Sequence, residues 1–593
     1  MALPMQLAHM LAAPALRRRR RGQRTDRRIH DRQAADYPTP PPLTPTMNTA
    51  HQPWLATYRE HGIAADINPD AHPSVVALLE QAMRTHAGRI AFRSPGRALS
   101  YAEIDRLSGY FAAWLQQMLQ VKKGDRVAVM LPNVPAFPIA LLGIARAGAV
   151  QVNINPLYTP RELEHQLRDS GAAIIVVFQG STPALAEVVA RTGVKSVVTV
   201  AASDYASDPP VDARLAQAVS FASALHAGAG LMRLPVPLCG DDPLFLQYTG
   251  GTSGLSKGAV LSHRNLVANT GQFKAMNSGA LRPGEEVLVT AIPLYHIFAL
   301  MVNFISYFSV GAENWLVDNP RDLDAFIDVL DKARPTVFVG VNTLYNSLVS
   351  HPRIGEVDFS RLRIAIGGGA AVVRAVSDRW LRLTGTFIRE GYGLTETSPV
   401  LSFAPPGVDA FSGNTGLPLP GTDLRLLDEL EREVAPGQPG EVCVKGPQVM
   451  DGYWRQPEAN ADAFTADGYF KTGDIGVLDA AGFLTIVDRK KDMVIVSGFN
   501  VYPSEVDAVA STCPGVAECA CIGVPDEKSG EALMLFVVGT PGRGLRAEDV
   551  TAWCRAALTA YKVPKTVRLV DSLPKSTVGK ILRRELLRSA VPS

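Results

Sequence analysis

Cysteine is scarce. The 593 residues hold six, Cys239, Cys443, Cys513, Cys519, Cys521 and Cys554. They are too few and too scattered for a disulfide framework, and the closest group has no CxxC pair, which argues against a zinc site and fits a reducing compartment. Net charge is nearly absent, 59 Lys and Arg against 57 Asp and Glu, so no basic surface points to nucleic acid. There is no fixed-period repeat, which excludes solenoids and propellers. The longest run without Asp, Glu, Lys or Arg is residues 287–312. That stretch could cross a bilayer by length, but Pro293, His296, Asn303, Ser306 and Gly311 interrupt it and no basic cluster flanks it. It reads as a buried strand and helix lining an apolar ligand tunnel.

What is present is an ordinary globular balance, 47% hydrophobic and 20% charged, with enough chain for several domain-sized units. The charge that exists is unevenly spread. Residues 1–46 carry nine Arg and three Asp, a net of +6, which leaves −4 for the rest. This arm runs from an apolar opening into Arg17 to Arg21 and then a proline-rich stretch, and it cannot bury enough surface to fold alone. Its charges follow the apolar run, the reverse of a secretory signal. The expectation is that translation begins at Met47 and that 1–46 is a start-site artefact or a disordered basic arm.

From residue 99 the pattern alternates. Helices are expected over 101–119, 136–147 and 160–169, and strands over 126–130, 150–153 and 173–177, an α/β region with buried, largely parallel strands. After Gly416 the text turns to short strands with Gly and Pro turns, expected to form a small antiparallel β barrel. From residue 492 a compact α+β unit begins. The expected division is 47–489 for a large N-terminal domain and 490–593 for a small mobile C-terminal cap.

Three motifs carry chemistry. In Tyr248-Thr249-Gly250-Gly251-Thr252-Ser253-Gly254-Leu255-Ser256-Lys257-Gly258, glycines let backbone N–H groups approach phosphate oxygens, hydroxyls add donors and Lys257 adds charge. It is not a Walker A loop, since Lys257 follows a serine and no Ser or Thr follows it. Gly391-Tyr392-Gly393-Leu394-Thr395-Glu396-Thr397 offers an aromatic face for a base, a hydroxyl for a phosphate and a carboxylate for Mg2+. Lys471-Thr472-Gly473-Asp474 sets a carboxylate after a tight turn, suited to ribose hydroxyls. Taken singly, a Gly-Ser turn or a capped loop accounts for each of them.

Together, and followed by Val487-Asp488-Arg489-Lys490-Lys491-Asp492 and Pro574-Lys575-Ser576-Thr577-Val578-Gly579-Lys580, they stand in the order of the acyl-adenylate-forming superfamily, which the chain resembles over roughly residues 50–590. Within it, residues 155–165, 293–300 and 497–503 are similar to bacterial long-chain fatty acid–CoA ligases. Ser253 departs from the threonine of many relatives and keeps the hydroxyl.

The resemblance implies a two-step reaction: a fatty carboxylate attacks the α-phosphate of Mg-ATP to give acyl-adenylate and pyrophosphate, and the CoA thiol then displaces AMP. It further implies that Thr249, Gly250, Gly251, Thr252, Ser253, Gly254 and Lys257 hold phosphates, that Tyr392 lies against adenine, and that Thr395 meets the α-phosphate. Glu396 would bind Mg2+, and Asp474 and Arg489 the ribose, with Gly368, Gly393 and Gly498 among the cofactor contacts. Lys580 would bridge the substrate carboxylate and the α-phosphate. The C-terminal domain would rotate near Lys491 between the steps, bringing residues 497–503 to the pantetheine path. His296 would form an active-site wall near the acyl and thiol groups, and 341–345 with 367–369 would add to the acyl tunnel. The expected setting is the cytoplasm, with peripheral contact to the inner membrane face and a homodimer as a candidate assembly. Activation of a medium-chain or aryl acid, transfer to a carrier protein, and a membrane fatty-acid carrier with a vestigial ATP site remain as alternatives.

Overall fold

The computed structural model describes residues 52–201, 210–249, 256–408, 410–497, 499–526, 528–576 and 579–590. The arm 1–46 and its expected Met47 start lie outside the described residues. Two large sheets dominate. One has nine strands, in the order Leu417–Pro418, Val400–Phe403, Ile388–Gly393, Ile364–Gly367, Val337–Gly340, Val287–Thr290, Glu313–Leu316, Ile90–Ser94 and Arg97–Ser100. Its six inner strands, from Ile388–Gly393 to Ile90–Ser94, run parallel, and antiparallel pairs finish both ends.

The other has eight, in the order Gly452–Tyr453, Lys257–Ser262, Pro243–Thr249, Val150–Asn153, Arg126–Met130, Ile174–Phe178, Ser196–Val200 and Val219–Ser220. Strands such as Val150–Asn153 are buried along their whole length, as parallel strands covered on both faces must be.

Local chemistry sets the helix ends. Ser100 and Glu103 form a capping box at the start of Tyr101–Gln117, and Thr159 and Glu162 do the same for Pro160–Ser170, each pair satisfying two otherwise orphaned donors. Gly171, at φ 63°, ends the second helix in the left-handed conformation.

The uncharged stretch is a strand and a helix inside the protein. Val287–Thr290 is an inner strand, and Ala299–Ser306 is a π-helix with every residue buried. Its polar interruptions find protein partners: Asn303 Nδ2 donates to Thr290 Oγ1 at 2.9 Å, and Asn314 Nδ2 donates to the Asn303 carbonyl at 3.0 Å. Among the described residues no helix is long and apolar enough to cross a membrane.

The barrel expected after Gly416 takes the form of a four-stranded antiparallel sheet, Asp423–Leu427, Gly440–Lys445, Phe470–Leu478 and Leu484–Arg489, whose hydrogen-bonded path among the described residues leaves the first and last strands as edges. A fourth sheet is built from Phe499–Val501, Val494–Val496, Gly530–Gly539 and Val516–Asp526, with Thr566–Leu569 parallel to Gly530–Gly539. The helices Pro503–Ala510 and Ala547–Ala557 pack on it around Cys513, Cys519, Cys521 and Cys554. All four thiols are buried and free, and Cys239 and Cys443 are also unbridged.

Candidate active site

Strand ends and the turns after them bring part of the predicted set to one cleft of about 570 Å3, while Thr249, Lys257, Glu396, Asp474 and Arg489 are not among the residues that line it. His296, Gly368, Tyr392, Gly393, Thr395 and Lys580 all line it. Its inner wall is apolar, built from Phe273, Ile297, Val302, Ile366, Val400 and Phe403. A lining that joins these polar groups to apolar side chains suits a ligand with a charged head and a hydrocarbon body.

Thr249 and Lys257 are register partners across the antiparallel pair that closes the phosphate motif. Gly250, Gly251, Thr252, Ser253 and Gly254 lie outside the described residues, as does Gly498. Both ends of the loop rest on helix Pro160–Ser170. Tyr248 Oη donates to Asp169 Oδ2 at 2.5 Å, and His165 Nε2 bonds the Ser256 carbonyl at 2.9 Å. Asp169 was not singled out by sequence, although it falls only four residues beyond the 155–165 motif.

Tyr392, Asp474 and Arg489 form a chain. Tyr392 Oη donates to Asp474 Oδ2 at 2.7 Å, and Arg489 Nε lies 3.1 Å from Asp474 Oδ1. Burial raises the Asp474 carboxyl above its ordinary value, with Arg489 pulling it back. The turn before it is held by Glu441, whose carboxylate takes the Gly473 N–H at 3.1 Å and pairs with Lys490 at 2.8 Å.

Glu396 is 8% exposed and accepts from Tyr453 Oη at 2.8 Å. Burial raises its carboxyl too. Among the described residues no three His, Cys, Asp or Glu side chains cluster to hold a metal. A divalent cation at Glu396 therefore needs phosphate oxygens to complete its shell, as Mg2+ does when it travels with a nucleotide.

Lys580 reaches the cleft from a C-terminal turn in which Ser576 N donates to the Lys580 carbonyl at 2.7 Å and Lys580 N donates to Ser576 Oγ at 3.1 Å. Burial and Arg489 lower its ammonium pKa, while Asp474 and Glu396 oppose that shift. His296 is pushed down to about 3 by burial and, secondarily, by Lys580. The ring is therefore neutral near pH 7. Its Nδ1 accepts from the Phe298 N–H at 3.3 Å, which places the ring proton on Nε2.

Residues 341–345 do not line the apolar wall as the sequence reading expects. Tyr345 donates to the Phe338 and Ile366 carbonyls at 3.1 and 2.9 Å and packs edge-on against Trp380, in a separate core. Val341 and Thr343 instead meet the Lys580 turn. A Cβ on Gly579, at φ +77°, would stand 2.3 Å from Thr343 Oγ1.

Glu390 is a further buried acid that the sequence reading passed over. It accepts the Val372 N–H at 2.8 Å and so braces the loop after Gly367 to Gly369. Burial lifts it from 4.5 to about 7. Between those values the native chain keeps a proton that the unfolded chain has released, so stability falls as pH rises through that window. Glu390→Gln keeps the acceptor and removes the charge. At ~1.4 kcal/mol per pH unit, the variant is expected to exceed the parent by roughly 3 kcal/mol at pH 8 and to match it at pH 4.5. Denaturation midpoints at both pH values check this, and a gap independent of pH would reject it.

Comparison with known proteins follows the same lines. Residues 79–454 match the AMP-binding enzyme family, and 505–580 match the AMP-binding enzyme C-terminal domain. The chain is 47% identical over 548 residues to a long-chain-fatty-acid–CoA ligase of Escherichia coli, covering 90% of this chain and 97% of that one. It is 38% identical to a feruloyl-CoA synthase of Amycolatopsis, covering 85% of this chain and 96% of that one. Among solved structures, ATP-bound MatB from Rhodopseudomonas palustris superposes with a TM-score of 0.77 at 31% identity, covering 87% of this chain and 98% of that one. An anthranilate CoA ligase with bound anthranoyl-AMP gives 0.80 at 25% identity, covering 88% and 99%.

Proposed function

The chain belongs to the AMP-binding enzyme family, and from that membership and the cleft we infer that it is a long-chain fatty acid–CoA ligase using ATP and CoA as co-substrates with Mg2+. The observation that carries the reading is the cleft itself, whose lining joins Lys580, Tyr392 and Thr395 to an apolar wall. A fatty carboxylate oxygen attacks the α-phosphorus, and the bond to pyrophosphate breaks. The CoA sulfur, having lost its proton, then attacks the acyl carbon, and the bond to AMP breaks.

In the first step two anions must meet, so the dominant requirement is positive charge and positioning. Lys580 is the group proposed to supply the charge between carboxylate and α-phosphate. Thr249 to Lys257 are assigned the outer phosphates, Glu396 the Mg2+ carried by ATP, Tyr392 the adenine face, and Asp474 with Arg489 the ribose. Both Asp474 oxygens already meet protein donors, yet a carboxylate has about four lone-pair sites and can take ribose hydroxyls as well. Neutral His296 is assigned as an Nε2–H donor to acyl or thiol groups and not as a base. The apolar wall is assigned the acyl chain, at ~0.8 kcal/mol per buried CH2.

We place the domain division at Arg489 and Lys490, with rotation about that point between the half-reactions. Support comes from the change of sheet there: Arg489 ends the small antiparallel sheet and Val494 begins the C-terminal one. Peripheral membrane contact is proposed at Met118, Met232 and Leu234, exposed by 58%, 74% and 47%. They are gathered at one helix end by Gln117, which bonds the Met232 carbonyl, and by Gln116, which bonds Leu234.

The test is pyrophosphate release with Mg-ATP and a panel of short to long and aryl carboxylates, each with and without CoA, with products identified by mass. Acyl-CoA from palmitate or oleate is the expected result. Pyrophosphate without a thioester implies another acceptor, and neither product from folded protein overturns the assignment.

A further inference from the structure

We propose that Tyr453 is a positioning residue that fixes the phosphate-binding lysine relative to the cation-binding glutamate, its ring facing Lys257 and its hydroxyl holding Glu396. This rests on the ligase reading above. Lys257 Nζ stands 4.8 Å from the centre of the Tyr453 ring, and Tyr453 Oη donates to Glu396 Oε1 at 2.8 Å. One side chain thus touches both groups assigned to the triphosphate end of Mg-ATP.

The register explains the placement. Strand Gly452–Tyr453 pairs antiparallel with Lys257–Ser262, Tyr453 opposite Ala259 and Gly452 opposite Val260. Lys257 is two residues from Ala259, so it lies on the same face as Tyr453 and diagonal to it. The Tyr453 backbone is pinned from the other side by Asn460, whose Oδ1 takes its N–H at 2.7 Å and whose Nδ2 donates to its carbonyl at 3.1 Å. Trp454 N donates to the Gly258 carbonyl at 2.8 Å, and Met450 N donates to the Glu396 carbonyl at 2.8 Å. Both neighbours are therefore tied to the segment 450–454 that contains this two-residue strand.

The chemistry favours a tyrosine over an acid here. A carboxylate beside Lys257 would neutralise the charge meant for phosphate, whereas a ring face steadies an ammonium without adding an anion. The phenol O–H orients one Glu396 oxygen and leaves the carboxylate charge for the cation.

Tyr453→Phe and Tyr453→Leu separate the two roles in the full-length chain. Calorimetry with an α,β-methylene ATP analogue, with Mg2+ or with EDTA, reads binding directly, and a Mg2+ titration of pyrophosphate release reads turnover. The Phe variant keeps the ring and is expected to need about tenfold more Mg2+ in both measurements, with metal-free analogue binding unchanged. The Leu variant is expected to show the same Mg2+ shift plus severalfold weaker metal-free binding. A Phe variant with the parent's Mg2+ dependence, or two variants that behave alike, overturns the proposal. Parent protein that binds no analogue and releases no pyrophosphate overturns the ligase reading instead.

Discussion

Lys580→Ala is expected to lower acyl-adenylate formation by about 10²–10³-fold while leaving thioester formation from supplied acyl-adenylate largely intact. The asymmetry follows from where charge develops. Two anions converge only in the first half-reaction, and Lys580 is the cation that lines the cleft beside His296 and Thr395. The turn that presents it does not depend on the ammonium. Ser576 holds its backbone on both sides, and Lys575 pairs with Glu518 at 2.6 Å, so the variant should fold normally. Lys580→Arg should not restore the rate, because a planar fork does not replace a compact charge between two acceptors. Single-turnover assays of each half-reaction decide the matter. Equal loss in both would remove Lys580 from the role assigned to it.

Gly393→Ala is expected to abolish activity and to lower stability as well, for a reason independent of the nucleotide. A Cβ at that position would stand 1.8 Å from the Pro399 carbonyl oxygen and 3.1 Å from Val400 Cα. Both are backbone atoms, so no rotamer change relieves the clash, and overpacking of this kind costs roughly 1–3 kcal/mol or more. Gly393 pairs with Val400, and the chain between them makes a tight excursion that includes Thr395 and Glu396. Prising these strands apart moves both functional side chains. Gly437→Ala is the control: in an exposed turn outside the site, at φ +79°, it meets nothing within 4 Å, so only the left-handed backbone penalty of ~1 kcal/mol applies. Adenylation rates and melting curves of the two variants should differ widely. Comparable behaviour would show that close packing at Gly393 is not limiting.

Much of this architecture was legible because local chemistry and tertiary packing agree. The strand Arg126–Met130 falls where the apolar run after Arg126 puts it, Val150–Asn153 falls at its expected place although Gln151 and Asn153 are polar, and the helix starts at Tyr101 and Pro160 follow from their capping boxes. The motif residues Tyr392, Asp474 and Arg489 do meet. What escaped notice depends on contacts between distant segments. Tyr453 sits on a two-residue strand, too short for any alternation to show, and reaches a glutamate 57 positions away. Glu390 looks like a surface acid between Arg389 and Gly391 until the Val372 loop covers it. Tyr345 follows Val337–Gly340, whose neighbouring strand lines the cleft with Ile366 and Gly367, yet its hydroxyl donates to the Phe338 and Ile366 carbonyls and its ring packs in a separate core.

The order of strands in the nine-stranded sheet also bears on how the protein is made. The hairpin of Ile90–Ser94 and Arg97–Ser100 has its parallel neighbour in Glu313–Leu316. About 200 residues must leave the ribosome before that edge finds its partner, and at ~5–20 residues per second the wait is roughly ten seconds or more. During this interval Phe92 and Leu99, 1% and 3% exposed in the finished fold, have no cover from their eventual neighbour, and an unpaired strand edge is open to other chains. The yield of folded protein is thus set as much by the pace of synthesis and the supply of chaperones as by the stability of the completed sheet.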